Sequence, residues 1–558
     1  MSPSATEMPQ DLLAAEIPEV SPVAEGDTST WPPVAAPAPE LELAGSSAAQ
    51  PLSKEVTRHL VGGTSALGIS VAVERGVGLL ANILAARLGG KSVFGAYSFA
   101  VGTASQISMY AAGGIGATAT RFSGKYPRGS AGYPTLRKAL MIVSLLSAAL
   151  AAVGLWMGAA PIAHLVGKSS MTGLLRWAAI SSVGIILLEC ARGFFVGQRH
   201  LGALLVLSLL VGLGMVTLLP TMAHRHDPRA MLVAQGGVAI AAVMLCVLFG
   251  AKLGLRLTPR GVRALPLGVM LREVWTFGGI QLASLIGSNI SGWWLTAVVA
   301  RNDSSLVQIS FLTIANQLRN LVALAPSLLT EGSYAVMADP RHEESQTPQR
   351  VMALCSYASL SASLLLALGG MTVVPWLLAL LYGRGYAGAG TTIALALATA
   401  VAHMGNAPAA ARLTIVSLRA TAVINTIWAV FVAVAATLLL LRGGSAWEAM
   451  SVYFLAHIVS ASLVLAVLRR KDNLPAGMIP LFAMAVVAVG AGSALAMVRA
   501  AKPELAIAST GAMAAVFAAA FAMLWLLGKR HDWLPPRAVF RSLLAKAQSV
   551  AGGRLRRV

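Results

Sequence analysis

The stretch Arg75–Phe99 reads RGVGLLANILAARLGGKSVFGAYSF, and its pattern decides the fold. An apolar run ends in Arg87, Gly89, Gly90 and Lys91, and a second apolar run follows at once. Two long apolar segments joined by a short, basic, glycine-bearing break form a pair of membrane-crossing helices. No soluble domain needs two such runs back to back.

The same alternation continues in both directions. It predicts helices at about 60–86, 93–120, 138–160, 171–192, 201–223, 230–250, 269–299, 306–334, 350–381, 388–411, 420–441, 446–468, 477–499 and 506–528. The expectation is an all-α polytopic membrane protein with about fourteen transmembrane helices. Composition agrees: 56% of the 558 residues are hydrophobic and 11% are charged, against roughly 25% charged in soluble domains. Ala, Gly and Leu dominate the runs, which suits helices that pack closely in lipid. Long β-branched alternation is absent, so a barrel is not expected.

The formal net charge is +20, but the basic residues sit in short clusters between apolar runs. That is a topology signal and excludes nucleic acid as a partner. With the N-terminus in the cytoplasm, cytoplasmic loops hold about 19 Lys and Arg against about 11 opposite, so both termini are read as cytoplasmic. Residues 1–52 form an acidic Pro/Ala/Ser-rich tail, read as disordered. Residues 529–558 form a basic tail in which Val539, Phe540, Leu543, Leu544 and Ala547 share a helical face. An amphipathic helix on anionic lipid and a merely solvated tail both remain open there.

The chain repeats itself. Arg87, Val93 and Tyr97 recur about 214 residues later as Arg301, Val307 and Phe311. Leu165-Val166-Gly167-Lys168 recurs as Leu381-Tyr382-Gly383-Arg384 at an offset of about 216, and Gly197-Gln198-Arg199 precedes Val416-Ser417-Leu418 by about 219. Six spans, an even number, separate equivalent points, so the repeats are parallel. The expected organisation is an N-lobe over 53–262, a C-lobe over 263–470 and an appended pair of helices over 471–528. The two six-helix lobes would face one another across a central cavity.

Two phosphate-loop look-alikes fail. Gly90-Lys91-Ser92 and Gly167-Lys168-Ser169 need a preceding Gly where Ala85 and Ile162 stand. No ATP site or other cofactor site is expected, and Cys190, Cys246 and Cys355 have no metal-ligand spacing. The outer loops are too short for a catalytic domain, so no enzyme is expected. His164, His403 and His457 stand alone in the sequence and read as packing or interfacial residues.

Polar groups inside the spans carry the functional signal, because each is costly in hydrocarbon. Glu74 and Arg75 lie well inside the first span, with Arg75, Gly78 and Asn82 on one face. The second span holds Ser98, Gly102 and Ser105 with Gln106 beside them. The seventh holds Gln281, Ser284, Ser288 and Ser291, and the eighth Asn316, Arg319 and Asn320. Polarity therefore gathers on spans one, two, seven and eight, the equivalent first pairs of the two lobes. These spans are expected to line a water-accessible cavity. Glu74 is either the brace of a neighbouring base or a site of ion coupling.

Arg75–Phe99 resembles the first signature of bacterial polysaccharide flippases of the O-antigen and exopolysaccharide type: an Arg-bearing helix, an LAR-LG turn, then FG-x-Y-S. LLALLYGRGYAGAGTTIALALA, residues 377–398, resembles their second signature, a G-x-x-Y-x-x-A turn. The seventh-helix turn, ARNDSSLVQISF, lacks the FG-x-Y element and departs from the pattern. The superfamily also includes multidrug exporters and lipid II flippases. The resemblance implies transport of an undecaprenyl-diphosphate-linked oligosaccharide across a bacterial inner membrane by alternating access. Membrane lipids and polysaccharide polymerase and export proteins are the partners it implies. On that reading Arg75 and Arg319 hold phosphate oxygens. Asn82, Gln106, Gln281, Ser288, Asn316 and Asn320 meet sugar hydroxyls, and Arg87, Arg121 and Arg301 flank the cavity mouths. A multidrug cation antiporter, which calls for an acidic cavity, and a lipid II flippase are the alternatives.

Overall fold

The computed structural model describes residues 54–249, 265–338, 346–472 and 474–533. Both expected tails fall outside the described residues, apart from residues 529–533. The chain is helical throughout that range. In order, the α-helices are α1 (Lys54–Ala112), α2 (Ile115–Lys125), α3 (Tyr133–Leu165), α4 (Thr172–Gly197), α5 (Leu201–His224), α6 (Pro228–Leu248) and α7 (Leu267–Asn302). They continue with α8 (Val307–Met337), α9 (Thr347–Leu381), α10 (Gly390–Val416), α11 (Leu418–Arg442), α12 (Ala446–Lys471), α13 (Met478–Ala501) and α14 (Ala506–Arg530).

α1 is not one continuous helix. Gly90, at φ 76° and ψ 169°, breaks it into two arms, 54–89 and 91–112, at the glycine pair of the opening sequence. Only glycine adopts that conformation without strain. Gly114, also left-handed, separates the second arm from α2. Among the described residues eleven helices are long and apolar enough to cross a membrane. At 36 and 31 residues, α7 and α8 also exceed the length a bilayer requires. Large apolar side chains face outward, among them Leu146 and Met157 of α3, Leu441 of α11 and Ile507 of α14. In water such a surface would aggregate; against lipid tails it is the expected exterior.

Helices α1–α6 pack chiefly on one another, and α7–α12 do the same. α13 lies on α10, α14 and α9, and α14 on α13 and α9. The main crossings between the groups are α1 with α7 and α8, and α3 with α7. α10 is the most enclosed span because it is made of small residues: Ala394, Ala396, Ala398, Ala400, Ala402 and Gly405 let α8, α9, α12 and α13 approach together.

The positions that the sequence pairs between the two halves share backbone features. Gly167 after α3 and Gly383 after α9 both take positive φ, 68° and 92°. Pro161 inside α3 and Pro375 inside α9 occupy matching places 214 residues apart. Leu306, at φ 59°, starts α8 where Gly90 starts the second arm of α1. His200 and Ser417 accept from the backbone N–H groups of Ala203 and Ala420, capping α5 and α11 in the same way.

Candidate functional site

Between the two groups lies a cavity of about 410 Å³. The second arm of α1 contributes Phe99, Gly102, Thr103 and Gln106, spaced so that one helical face is presented. α7 contributes Ser288, Asn289, Gly292, Trp293 and Thr296, again one face, and α8 contributes Asn316 and Arg319. The far wall is His403 of α10, Trp428 of α11, and Tyr453 and His457 of α12.

The wall is held by hydrogen bonds between helices. Trp293 Nε1 donates to Thr103 Oγ1 at 3.2 Å, tying α7 to α1, and the Tyr453 hydroxyl donates to the Gly292 carbonyl at 3.2 Å, tying α12 to α7. The Arg319 guanidinium lies over the Tyr453 ring, 5.8 Å from its centroid. This cation–π contact offsets part of the cost of a charge at membrane depth. His403 and His457 stack at 4.6 Å with planes 12° apart, and Trp428 packs against His457 at 5.5 Å and Tyr453 at 6.1 Å. Among the described residues no carboxylate lines the cavity or pairs with Arg319. Asn316 Oδ1 and Trp428 Nε1 are buried without a hydrogen-bond partner. An acceptor and a donor left unpaired beside a cation cost free energy unless a polar guest meets them.

The expected residues therefore divide. Gln106, Ser288, Asn316 and Arg319 line the cavity together. Arg75, Asn82 and Asn320 are not among its lining residues. The Arg75 guanidinium, exposed, donates to the Asn320 backbone carbonyl at 3.5 Å, and Asn82 spends its amide on the Gly78 carbonyl one turn back at 2.9 Å. Helical spacing places Arg75, Gly78 and Asn82 on one face, but that face turns to α8 and to its own backbone. The side chain of Gln281 lies outside the described residues. Glu74 pairs with Arg192 of α4, which also holds Glu189 at 2.9 Å, and Glu74 accepts from Ser208 Oγ at 3.2 Å. The base that braces it comes from α4 rather than from the adjacent Arg75.

Arg87 and Arg301 are engaged across the molecule. Arg87 donates to the Leu380 carbonyl at the end of α9 at 3.0 Å, and Arg301 donates to the Leu165 carbonyl at the end of α3 at 3.1 Å. Each guanidinium caps the orphan carbonyls of a helix terminus, where the dipole is negative. Nearby, Ser92 Oγ donates to the Ser305 carbonyl at 2.7 Å and the Tyr386 hydroxyl to the Ala86 carbonyl at 2.9 Å. Gly95 passes so near Leu306 that an added Cβ would stand 2.0 Å from its carbonyl oxygen. These contacts gather at the end where Gly90 breaks α1. Arg121 belongs to a separate α2–α7 contact, its guanidinium 4.4 Å from the Phe277 ring centroid, beside a 3.0 Å Lys125–Glu273 pair.

Residues 60–330 match the model of a family described as polysaccharide biosynthesis protein. Among solved structures, a lipid II flippase MurJ in an inward closed conformation matches at 12% identity and a TM-score of 0.59, covering 82% of this chain and 99% of that one. An inward-facing multidrug resistance MATE family transporter matches at 12% identity and 0.55, covering 73% and 99%. A MATE crystal structure in complex with MaL6 matches at 14% identity and 0.51, covering 76% of this chain and 99% of that one. At these identities the likeness is one of fold. No curated relative matches the chain.

Proposed function

We propose, from the match of residues 60–330 to a polysaccharide biosynthesis family and the fold shared with a lipid II flippase, that the chain moves a polyprenyl-diphosphate-linked oligosaccharide across the inner membrane by alternating access. Arg319, in a cavity with no carboxylate among its described lining residues, carries this reading. A diphosphate is an anion that accepts charge-assisted hydrogen bonds, and a guanidinium donates them in a fork that matches phosphate oxygens. Asn316 Oδ1 and Trp428 Nε1 offer an acceptor and a donor to sugar hydroxyls, and Trp428 and Tyr453 offer flat apolar faces to a sugar ring. The lipid tail stays in the bilayer while the hydrated head crosses.

On this reading there are fourteen spans. The arms of α1 are two of them, with α2 completing the second, and α3–α14 are the other twelve. α1–α6 and α7–α12 form two parallel six-helix lobes, and α13 and α14 are appended. Both termini are cytoplasmic, which puts the Arg87 and Arg301 braces at the outer face and the Arg121–Phe277 contact at the inner face. Outward release then requires breaking the first set while the second holds. An anion leaving a negative cytoplasm gains about 2.3 kcal/mol per charge per 100 mV.

Lipid II is the second reading, favoured by the MurJ fold match over 82% of the chain. Its head is also a saccharide on a diphosphate, so the same Arg319 chemistry serves it. A cation antiporter fits the cavity poorly, since Arg319 repels its cargo. The deciding experiment is transport in vesicles holding the purified protein, with fluorescent polyprenyl-diphosphate oligosaccharide, lipid II and a cationic dye offered separately. Movement of the dye alone would overturn the proposal, and lipid II alone would select the second reading.

A further inference from the structure

A second cavity, of about 770 Å³, lies between α12 and α13 and shares no lining residue with the first. Its origin is a packing gap. α12 and α13 follow one another in the chain, yet α12 packs on α10 and α11 whereas α13 packs on α10, α14 and α9. The gap is walled by Ile458, Leu465 and Ala466 on one side and by Phe482 and Val486 on the other. At its end stand Arg469 and Arg470, both exposed, in the last turn of α12.

From Ile458 to Arg469 the wall rises about 16 Å at 1.5 Å per residue. That is about half of a ~30 Å hydrocarbon core, or one leaflet. An apolar groove facing lipid is filled by hydrocarbon, because water finds no partners there and a void forfeits dispersion contacts. Among the described residues no carboxylate pairs with the two guanidiniums at the mouth. The acid next in sequence, Asp472, gives both oxygens to Arg412, at 2.7 and 2.9 Å, and accepts from Gln349 as well. Lys471 turns to Ser417 Oγ at 3.2 Å. The described acid nearest in sequence is thus spent elsewhere, and the two guanidiniums stand at the end of a groove whose other walls are mostly apolar.

We infer that the α12–α13 groove binds one anionic phospholipid of the surrounding bilayer, with an acyl chain along Leu465 and Phe482 and the headgroup phosphate on Arg469 and Arg470. The full-length protein, in detergent supplemented with phosphatidylglycerol or phosphatidylcholine, is examined by native mass spectrometry. One phosphatidylglycerol is expected to stay bound in preference to phosphatidylcholine. Arg469→Gln with Arg470→Gln lowers that preference by roughly 30-fold, the product of two headgroup contacts. Arg442→Gln, at the end of α11, leaves it unchanged. Ala466→Trp fills the groove from an exposed position and displaces the lipid with both arginines intact, so it decides the matter if the arginine variant is not monodisperse on gel filtration. Equal retention of the two lipids, retention unaffected by Ala466→Trp, or displacement of phosphatidylglycerol by a polyprenyl diphosphate that then fills the groove alone would each overturn the inference.

Discussion

Helices α1–α6 and α7–α12 carry the same backbone marks and different chemistry. Positive-φ glycines, inner prolines and helix-capping arginines recur at matching places in both. The cavity wall does not recur. From α1–α6 come Phe99, Gly102, Thr103 and Gln106, neutral throughout; from α7–α12 come Arg319, His403, His457, Tyr453 and Trp428. The inter-helix staples differ too. Gln198 joins α4 to the end of α2 through the Ser123 and Tyr126 carbonyls at 2.8 and 3.0 Å. On the other side a buried Arg412–Asp472 pair, with the Met337 carbonyl and Gln349, gathers α8, α9, α10 and α12. What the two groups share is the mechanical frame, whereas the charge and the aromatic lining of the cavity are concentrated in the second group.

The staples give the largest expected contrast. Arg412→Ala leaves Asp472 buried and unpaired, at a cost of about 3–5 kcal/mol. Gln198→Ala removes neutral hydrogen bonds, at about 1–2 kcal/mol. Thermal unfolding of the two purified variants should rank them in that order, and equal losses would remove the asymmetry. Next, Arg319→Ala should lower transport of the oligosaccharide lipid by about 100-fold, the scale of a lost charge-assisted contact. Arg319→Lys recovers part of it, and Gln106→Ala, on the opposite wall, costs less than about tenfold. Initial rates in vesicles at matched protein density measure this, and a larger defect in Gln106→Ala would reverse the assignment of recognition to α7–α12.

The braces should behave alike. Arg87→Ala and Arg301→Ala each remove one exposed charged hydrogen bond, at about 1 kcal/mol, which shifts the open–closed balance about fivefold. Cysteine-accessibility labelling at the Gly90 end should rise equally in both; a rise in only one would show that the frame has also diverged. The smallest effect belongs to Lys125–Glu273, exposed and worth under about 1 kcal/mol. The hydrogen bond to Glu273 raises the Lys125 ammonium above its usual range. Its contribution is therefore complete at neutral pH and fades as pH climbs through the raised value. The difference in Tm between the wild-type protein and Lys125→Gln should narrow above about pH 10.4.

The helices were readable because hydrocarbon forbids most alternatives: runs between basic clusters must be spans, and the break at Gly90 falls in the turn the sequence marks. Arg319, Asn316, Ser288 and Gln106 were readable because polar groups are rare and costly at that depth. His403, His457, Tyr453 and Trp428 were not. They come from three successive helices, one or two residues from each, and singly each reads as packing; the four-residue step from Tyr453 to His457 on α12 was the available hint. Glu74, Arg75 and Asn82 show the converse limit. Helical spacing says which residues share a face, but the partner of that face is set by neighbours that only the tertiary structure supplies, here Arg192, Ser208 and Asn320.

The reciprocal bonds of Arg87 and Arg301 have an evolutionary corollary. An isologous contact in a two-fold dimer is one in which residue i meets residue j and j of the partner meets i. Arg87 reaching Leu380 while Arg301 reaches Leu165 has that form within one chain. A six-helix ancestor associating with its own copy would make both bonds from a single arginine, so any substitution there would be felt twice. Fusion of two such copies would end that constraint: a guanidinium could then stand at Arg319 without a second one opposite, where it would split the charge of the proposed cargo between two rival seats.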